Sequence, residues 1–112
     1  MKLYGIKTCG SVKKALAFFK EHAIEVEFVD LRGSSFDPQW VIEWAKSVDV
    51  NTLYNAKGRT HKELGLAFKE LTTEEKITLM QQKPLLIKRP VIVDARGIVV
   101  GFDEAFYRER FL

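Results

Sequence analysis

The feature that most constrains this chain is the stretch from Met1 to Lys20, where a strand, a turn and a helix follow one another with a single thiol at the junction. Leu3, Tyr4 and Ile6 are strand formers. Thr8, Gly10 and Ser11 are turn and cap residues. Val12, Ala15, Leu16 and Phe19 recur at helical spacing and leave Lys13, Lys14 and Lys20 for water. Cys9 is the only cysteine of the chain, and it falls where the helix begins. The first N–H groups of a helix have no internal partners, and the aligned peptide dipoles place roughly +0.5 charge there. Such a position favours the thiolate over the thiol. Lys7 before Cys9 and Lys13 one turn after it add positive potential. Thiols at helix N-termini ionise at about 3.5–7.5, against about 8.5 for a free cysteine. The pattern predicts a reactive Cys9, the alternative being a structural cysteine packed into the core.

A chain of 112 residues suits one domain with one core, and residues 1–112 are read as such. With 46% hydrophobic and 29% charged residues, a soluble globular protein is expected. No apolar run approaches the ~20 residues a membrane helix needs, and the N-terminus lacks a signal-peptide pattern. One cysteine cannot form an internal disulfide, which points to a reducing cytoplasm. The net charge of +3 is spread over scattered lysines. That describes a solvated surface, so neither a nucleic acid nor a membrane is expected as a direct partner.

Ile24 to Leu31 reads as a second strand, followed by a loop at Arg32–Ser35. Asp37-Pro38 starts a helix in which Trp40, Val41, Trp44 and Val48 share a face. Strand, helix and strand in succession imply a parallel pair joined by a right-handed crossover. The middle of the chain, about 36–84, reads as an inserted helical segment. It holds a short helix over Asn51–Tyr54, a loop over Asn55–Thr60, an ambiguous stretch over His61–Leu71 broken at Gly65, and a helix from a Thr72–Glu75 capping box that stops by Pro84. The chain then returns to extended structure. Leu85–Arg89 is a short apolar-leading strand, and Val91–Val93 and Ile98–Gly101 pair across a turn at Asp94–Gly97. A helix over Phe102–Leu112, capped by Asp103, closes the chain, with Phe102, Phe106 and Phe111 on its apolar face. This order predicts an α/β protein of thioredoxin-like fold with a four-stranded mixed sheet. Trp40 and Trp44 read as core packing. His22 and His61 lack metal-ligand spacing and read as surface residues, so no metal site is expected.

Three stretches resemble the arsenate reductase (ArsC) family, which also holds the Spx regulators and the YffB-like proteins. Tyr4-Gly5-Ile6-Lys7-Thr8-Cys9-Gly10-Ser11-Val12-Lys13-Lys14-Ala15 is similar to the family's active-site turn, nearest to the YffB-like subgroup. Asn55 to Leu64, with its Asn-x-x-Gly, is similar to the loop in the helical insert. Ile87-Lys88-Arg89-Pro90-Val91 is similar to the family's most recognisable run. In the arsenate reductases of this family the cysteine attacks the oxyanion and three arginines hold it. Carried over, the resemblance makes Cys9 the nucleophile and Arg89 the arginine before the proline. Asn55 stands at the position of the insert arginine, with Arg59 nearby, and Phe102 stands near that of the third. An arsenate dianion needs charge-assisted donors from several sides, so one arginine of three argues against efficient arsenate reduction. The resemblance also implies that Pro90 is cis beside the thiol.

The chemistry implied is that of a thiol oxidoreductase with one nucleophilic cysteine, acting on a mixed disulfide or an oxyanion. Where Spx regulators usually carry Cys-x-x-Cys, Val12 occupies the second position. Without a second thiol, the product must be released by an external one. From the resemblance, glutathione is the co-substrate, free or carried by glutaredoxin, with no bound cofactor. Substrate-binding candidates are Gly10 and Ser11 through backbone N–H groups, Lys13, Asn55, Arg59, Arg89 and Pro90. For each there is a plainer reading: helix capping for Ser11, a solvated turn for Arg59, a surface ion pair for Arg89. The alternative function is a non-enzymatic, Spx-like adaptor that binds RNA polymerase.

Overall fold

The N-terminal strand, turn and helix form as the residue pattern requires: β1 spans Lys2–Gly5 and α1 spans Gly10–Glu21. The computed structural model describes residues 1–112, which divide into two compact units. The first comprises Met1–Asp30 and Arg89–Leu112, the second Leu31–Lys88.

The first unit is built on a four-stranded sheet in the order β2-β1-β3-β4, where β2 is Glu27–Asp30, β3 Val91–Asp94 and β4 Gly97–Val100. β1 pairs parallel with β2 and antiparallel with β3, and β3 and β4 form an antiparallel hairpin. The registers Phe28↔Leu3↔Ile92↔Val99 line up one row across all four strands. Residues in such a row share a face. Leu3, Ile92 and Val99 are buried there with Val12, Ala15, Phe18 and Phe19 of α1 and Tyr107 of the closing helix α6, Glu104–Phe111. Aromatic edges meet aromatic faces in this core: Phe19 lies 5.0 Å from Phe111 and Phe18 5.5 Å from Tyr107, both near-perpendicular. The apolar side of α6 therefore comes from Tyr107 and Phe111. Phe106, read from sequence as part of that side, points outward and is 47% exposed. Phe102 precedes the helix and packs on Tyr107 at 4.8 Å.

β2 is shorter than the run Ile24–Leu31. The chain first has to leave α1, and it does so through a Schellman motif. Ala23 N–H donates to the Lys20 carbonyl at 3.2 Å and Ile24 N–H to the Phe19 carbonyl at 2.9 Å. Ala23 sits in the left-handed region at φ 55°. Ile24 and Val26 pack against the core from outside the ladder.

The second unit is helical: α2 over Gln39–Ala45, α3 over Val50–Leu53, α4 over Arg59–Glu63 and α5 over Thr73–Gln82, then a 3₁₀ turn at Pro84–Leu86. Three of the four starts have a side-chain acceptor for a first-turn N–H. Asp37 Oδ1 accepts from Gln39 N–H at 2.9 Å, and Asp49 Oδ1 from Asn51 N–H at 2.8 Å. Thr72 and Glu75 close a reciprocal capping box. Val41 and Trp44 are buried, and Trp40 stacks on Trp44.

Three expectations are corrected in this unit. Leu85–Arg89 is not a strand of the sheet. Pro84 opens a 3₁₀ turn, and only an isolated bridge from Ile87 to Tyr54 follows. Arg59 and Thr60 are not loop but the start of α4. Beginning the helix there turns His61 inward, so His61 is buried rather than exposed, and its Nδ1 lies 2.7 Å from Tyr54 Oη. In the first unit His22 is half-buried against Phe18, with ring centroids 4.5 Å apart, and is likewise not a surface residue.

Candidate active site

The turn after β1 is closed by Cys9 N–H donating to the Ile6 carbonyl at 3.2 Å, and α1 opens with Lys13 N–H donating to the Cys9 carbonyl at 3.0 Å. Cys9 is thus the N-cap residue, with extended backbone at φ −77° and ψ 129°. Its side chain is half-buried and packs against the edge of the aromatic core. In this setting, partial burial pushes the thiol pKa up. The Val12 N–H, the Arg89 guanidinium and the Ser11 N–H act against it, and the net result lies below the ordinary thiol value. The thiolate is the favoured species relative to a free cysteine for two reasons: the open end of a helix and a fixed cation.

The identity of the amides follows from helix geometry. The side chain of an N-cap residue faces the second and third N–H groups of the helix. Counting from Cys9, these belong to Ser11 and Val12, whereas Gly10 was expected in the place of Val12. Gly10 is exposed with open space where a side chain would stand. Neither Lys7 nor Lys13 is among the groups that lower the thiol. The Lys7 ammonium lies 5.5 Å from the centre of the Phe28 ring, and Lys13 is exposed on α1. Val12 was not singled out from the sequence as a site residue because its apolar side chain marks it for the core. Counting capping positions from Cys9 would have found its amide.

Arg89 stands where the chain enters β3, its bond to Pro90 is cis, and its guanidinium reaches the Cys9 sulfur. Arg89 is half-buried and Pro90 buried. The Pro90 carbonyl accepts from Gly101 N–H at 2.8 Å, and the Gly101 carbonyl accepts from the buried Tyr107 hydroxyl at 2.5 Å. These bonds tie the Arg89–Pro90 corner to β4 and α6. Cys9, Gly10, Ser11, Lys13, Arg89 and Pro90 therefore belong to one unit of the fold. Asn55 and Arg59 belong to the other. Gly58 N–H donates to the Asn55 carbonyl at 3.3 Å, and a side chain at Gly58 would meet Asn55 Nδ2 at 2.5 Å. The Asn-x-x-Gly spacing thus encodes a tight turn. The Arg59 side chain is 88% exposed and pairs at 3.9 Å with Glu63 one turn on. No group of three or more His, Cys, Asp and Glu side chains stands close enough to hold a metal, and no helix is long and apolar enough to cross a membrane.

A four-stranded mixed sheet with a lone cysteine at the N-cap position of the first helix and a cis-proline leading the third strand defines an α/β protein of the thioredoxin-like class. The sequence model of the ArsC family matches residues 4–110, and the chain belongs to that family. Among curated relatives, an uncharacterised protein of Haemophilus influenzae is 31% identical over 110 residues, covering 97% of this chain and 96% of its own length. Global transcriptional regulator Spx of Enterococcus faecalis is 28% identical, covering 100% of this chain and 86% of the regulator. Among solved structures, a YffB protein superposes with a TM-score of 0.87 at 32% identity, over 99% of this chain and 98% of the other. An arsenate reductase (ArsC) related protein from Brucella melitensis gives 0.78 at 29% identity, over 98% and 92%.

Proposed function

We propose that this protein is a thiol oxidoreductase in which Cys9 attacks the sulfur of a glutathione mixed disulfide. The observation that carries the reading is the capping position of Cys9, with the Val12 and Ser11 amides and Arg89 holding its pKa down. A thiolate is the attacking species in thiol–disulfide exchange. In the first step the Cys9 thiolate bonds to the glutathionyl sulfur, the substrate's S–S bond breaks, and the substrate leaves as a thiolate. In the second, the thiolate of a further glutathione, free or delivered by glutaredoxin, attacks the Cys9-bound disulfide. Glutathione disulfide leaves and the Cys9 thiolate is regenerated. The Ser11 and Val12 N–H groups stabilise negative charge on the Cys9 sulfur. Arg89 serves as anchor for a glutathione carboxylate, a bidentate pairing suited to its planar fork. Lys13 is the next cation along α1. With Asn55 and Phe102 where the oxyanion-holding arginines of arsenate reductases stand, disulfides are preferred over arsenate as substrates.

The test is mass spectrometry of the intact protein after exposure to oxidised glutathione, then to glutaredoxin with reduced glutathione. One glutathionyl group on Cys9, removed by the second treatment, is expected. Cys9→Ser acquires none, and Arg89→Ala acquires it severely more slowly. Absence of the adduct on the folded wild type overturns the reading.

The similarity to Spx along nearly the whole chain favours one second reading, a non-enzymatic adaptor for RNA polymerase. Capture of polymerase from lysate equally by wild type and Cys9→Ser, with no thiol turnover, would favour it. Val12 in the second position rules out an intramolecular disulfide switch in either case.

A further inference from the structure

The helical unit Leu31–Lys88 carries a cleft of about 570 Å³ that the thiol chemistry does not use. Ala56, Ala67 and Leu71 supply apolar wall, and Tyr54, His61, Lys62, Lys69, Glu70 and Lys76 supply the polar groups. Three lysines face one glutamate, so the cleft is cationic. The size falls within the range of small-molecule sites, about 300–1,000 Å³.

Its floor is a buried donor. His61 is 7% exposed and Tyr54 4% exposed, and Tyr54 Oη lies 2.7 Å from His61 Nδ1. Burial raises the Tyr54 pKa, which keeps the phenol protonated. With the phenol as donor in that contact, Nε2 is the ring nitrogen that carries the proton. That Nε2 makes no hydrogen bond within the protein, and it is not among the polar atoms sealed from solvent. A ring that is nine-tenths buried and lines the cleft therefore offers it an unanswered N–H donor. The tetherings above it are equally specific. Lys76 Nζ donates to Asn51 Oδ1 at 2.6 Å and sits 5.8 Å from the centre of the Tyr54 ring. Its ammonium is held at the cleft wall with further N–H donors to spare.

We propose that this cleft binds a small organic phosphate, with His61 Nε2–H and the Lys76 ammonium as the fixed donors and Lys62 and Lys69 as the surrounding cations. A phosphate group has acceptor oxygens for several donors at once, and its dianionic charge matches three ammonium groups better than a single carboxylate does. The apolar wall leaves room for a carbon skeleton beside the phosphate. The proposal stands apart from the reading of Cys9, since none of the lining residues belongs to the thiol site.

The test is an NMR titration of the full chain with ribose 5-phosphate, inorganic phosphate and, as neutral control, ribose. Saturable shifts at the His61 ring and the Tyr54 and Lys76 amides are expected with ribose 5-phosphate and absent with ribose. Saturation by inorganic phosphate alone would assign the free ion as the source of the same chemistry. Lys76→Met and His61→Gln each raise Kd at least tenfold, whereas Cys9→Ser leaves it unchanged. The variant Lys69→Gln, at an exposed position, weakens binding by a smaller factor and guards against loss of fold in the others. Shifts that grow without saturating for both phosphate probes, or an affinity unchanged in Lys76→Met, overturn the proposal.

Discussion

At the scale of single residues, the neighbourhood of Cys9 shows which positive charges matter. Sequence spacing pointed to Lys7 and Lys13, but long ammonium side chains go where packing and water take them, and Lys7 lies over the Phe28 ring. What acts on the sulfur is fixed by backbone geometry or by a corner of the chain: two amides of α1 and the guanidinium beside Pro90. His61 teaches the same lesson in reverse. A lone histidine in a polar stretch read as surface, and a short helix from Arg59, in a stretch read as loop and then ambiguous, put it inside against Tyr54. Tyr107 is the residue whose polar atom is most deeply committed. It is 1% exposed, and its hydroxyl donates to the Gly101 carbonyl. Tyr107→Phe removes that donor and leaves a buried carbonyl unanswered, which should cost about 1–2 kcal/mol in urea unfolding. An unchanged midpoint would show that the bond contributes nothing net.

At the scale of elements, most boundaries were legible because local chemistry sets them. The Thr72–Glu75 capping box, the Asp103 cap of α6 and the hairpin turn at Asp94–Gly97 formed where the residues announce them. Thr72→Ala should destabilise by about 1 kcal/mol, with Glu75→Ala giving a smaller loss. Two helices end in the same Schellman motif with different residues in the left-handed position. After α4 it is Gly65, at φ 71°, with Leu66 N–H on the His61 carbonyl at 3.2 Å; after α1 it is Ala23. An alanine there bears a steric cost of about 1 kcal/mol that glycine does not. Ala23→Gly should therefore be neutral to slightly stabilising, by up to about 0.5 kcal/mol, after the added freedom of the unfolded chain, about 0.5–1 kcal/mol, is subtracted. A lower thermal midpoint for that variant would contradict this.

The closing helix is tied to the hairpin by an ion pair of favourable geometry. Arg110 meets both oxygens of Asp94 at 2.7 and 2.9 Å, with the two side chains only 12% and 18% exposed. The Arg110 guanidinium holds the Asp94 carboxyl below the usual carboxylate range, with partial burial opposing it. A carboxyl depressed in the folded state stabilises fully above its unfolded pKa, about 3.9, and loses that contribution as pH falls through the folded value. The stability gap between wild type and Arg110→Met should be about 1 kcal/mol and flat at neutral pH, then shrink in acid below pH ~4. A gap that widens in acid would refute the assignment.

At the scale of the whole molecule, the thioredoxin-like order of elements was readable because period-two and helical patterns alternate cleanly at both ends of the chain. Leu3, Ile92 and Val99 meet in one row, and Phe19 fills the space above them with Tyr107. Phe19→Ala empties a fully buried position and should cost about 3–5 kcal/mol. The middle of the chain was harder. Leu85–Arg89 has the composition of a strand, yet Pro84 commits it to a 3₁₀ turn and the only ladder partner it finds is Tyr54. Cys9 and Arg89 were both visible as candidates from sequence. That they share a site was implied by the family resemblance alone and not by the residue pattern, because eighty residues of chain separate them and only the sheet brings their strands together, about one pairing away through β1 and β3.

The account turns on the ionisation of one thiol. Its most direct measurement is the rate of Cys9 alkylation by iodoacetamide as a function of pH, in wild type and in Arg89→Met. The predicted midpoint for wild type lies below the free-cysteine value of about 8.5, and it rises in the variant as the guanidinium is lost. A wild-type midpoint at or above that of free cysteine, or one indifferent to Arg89, would contradict the account.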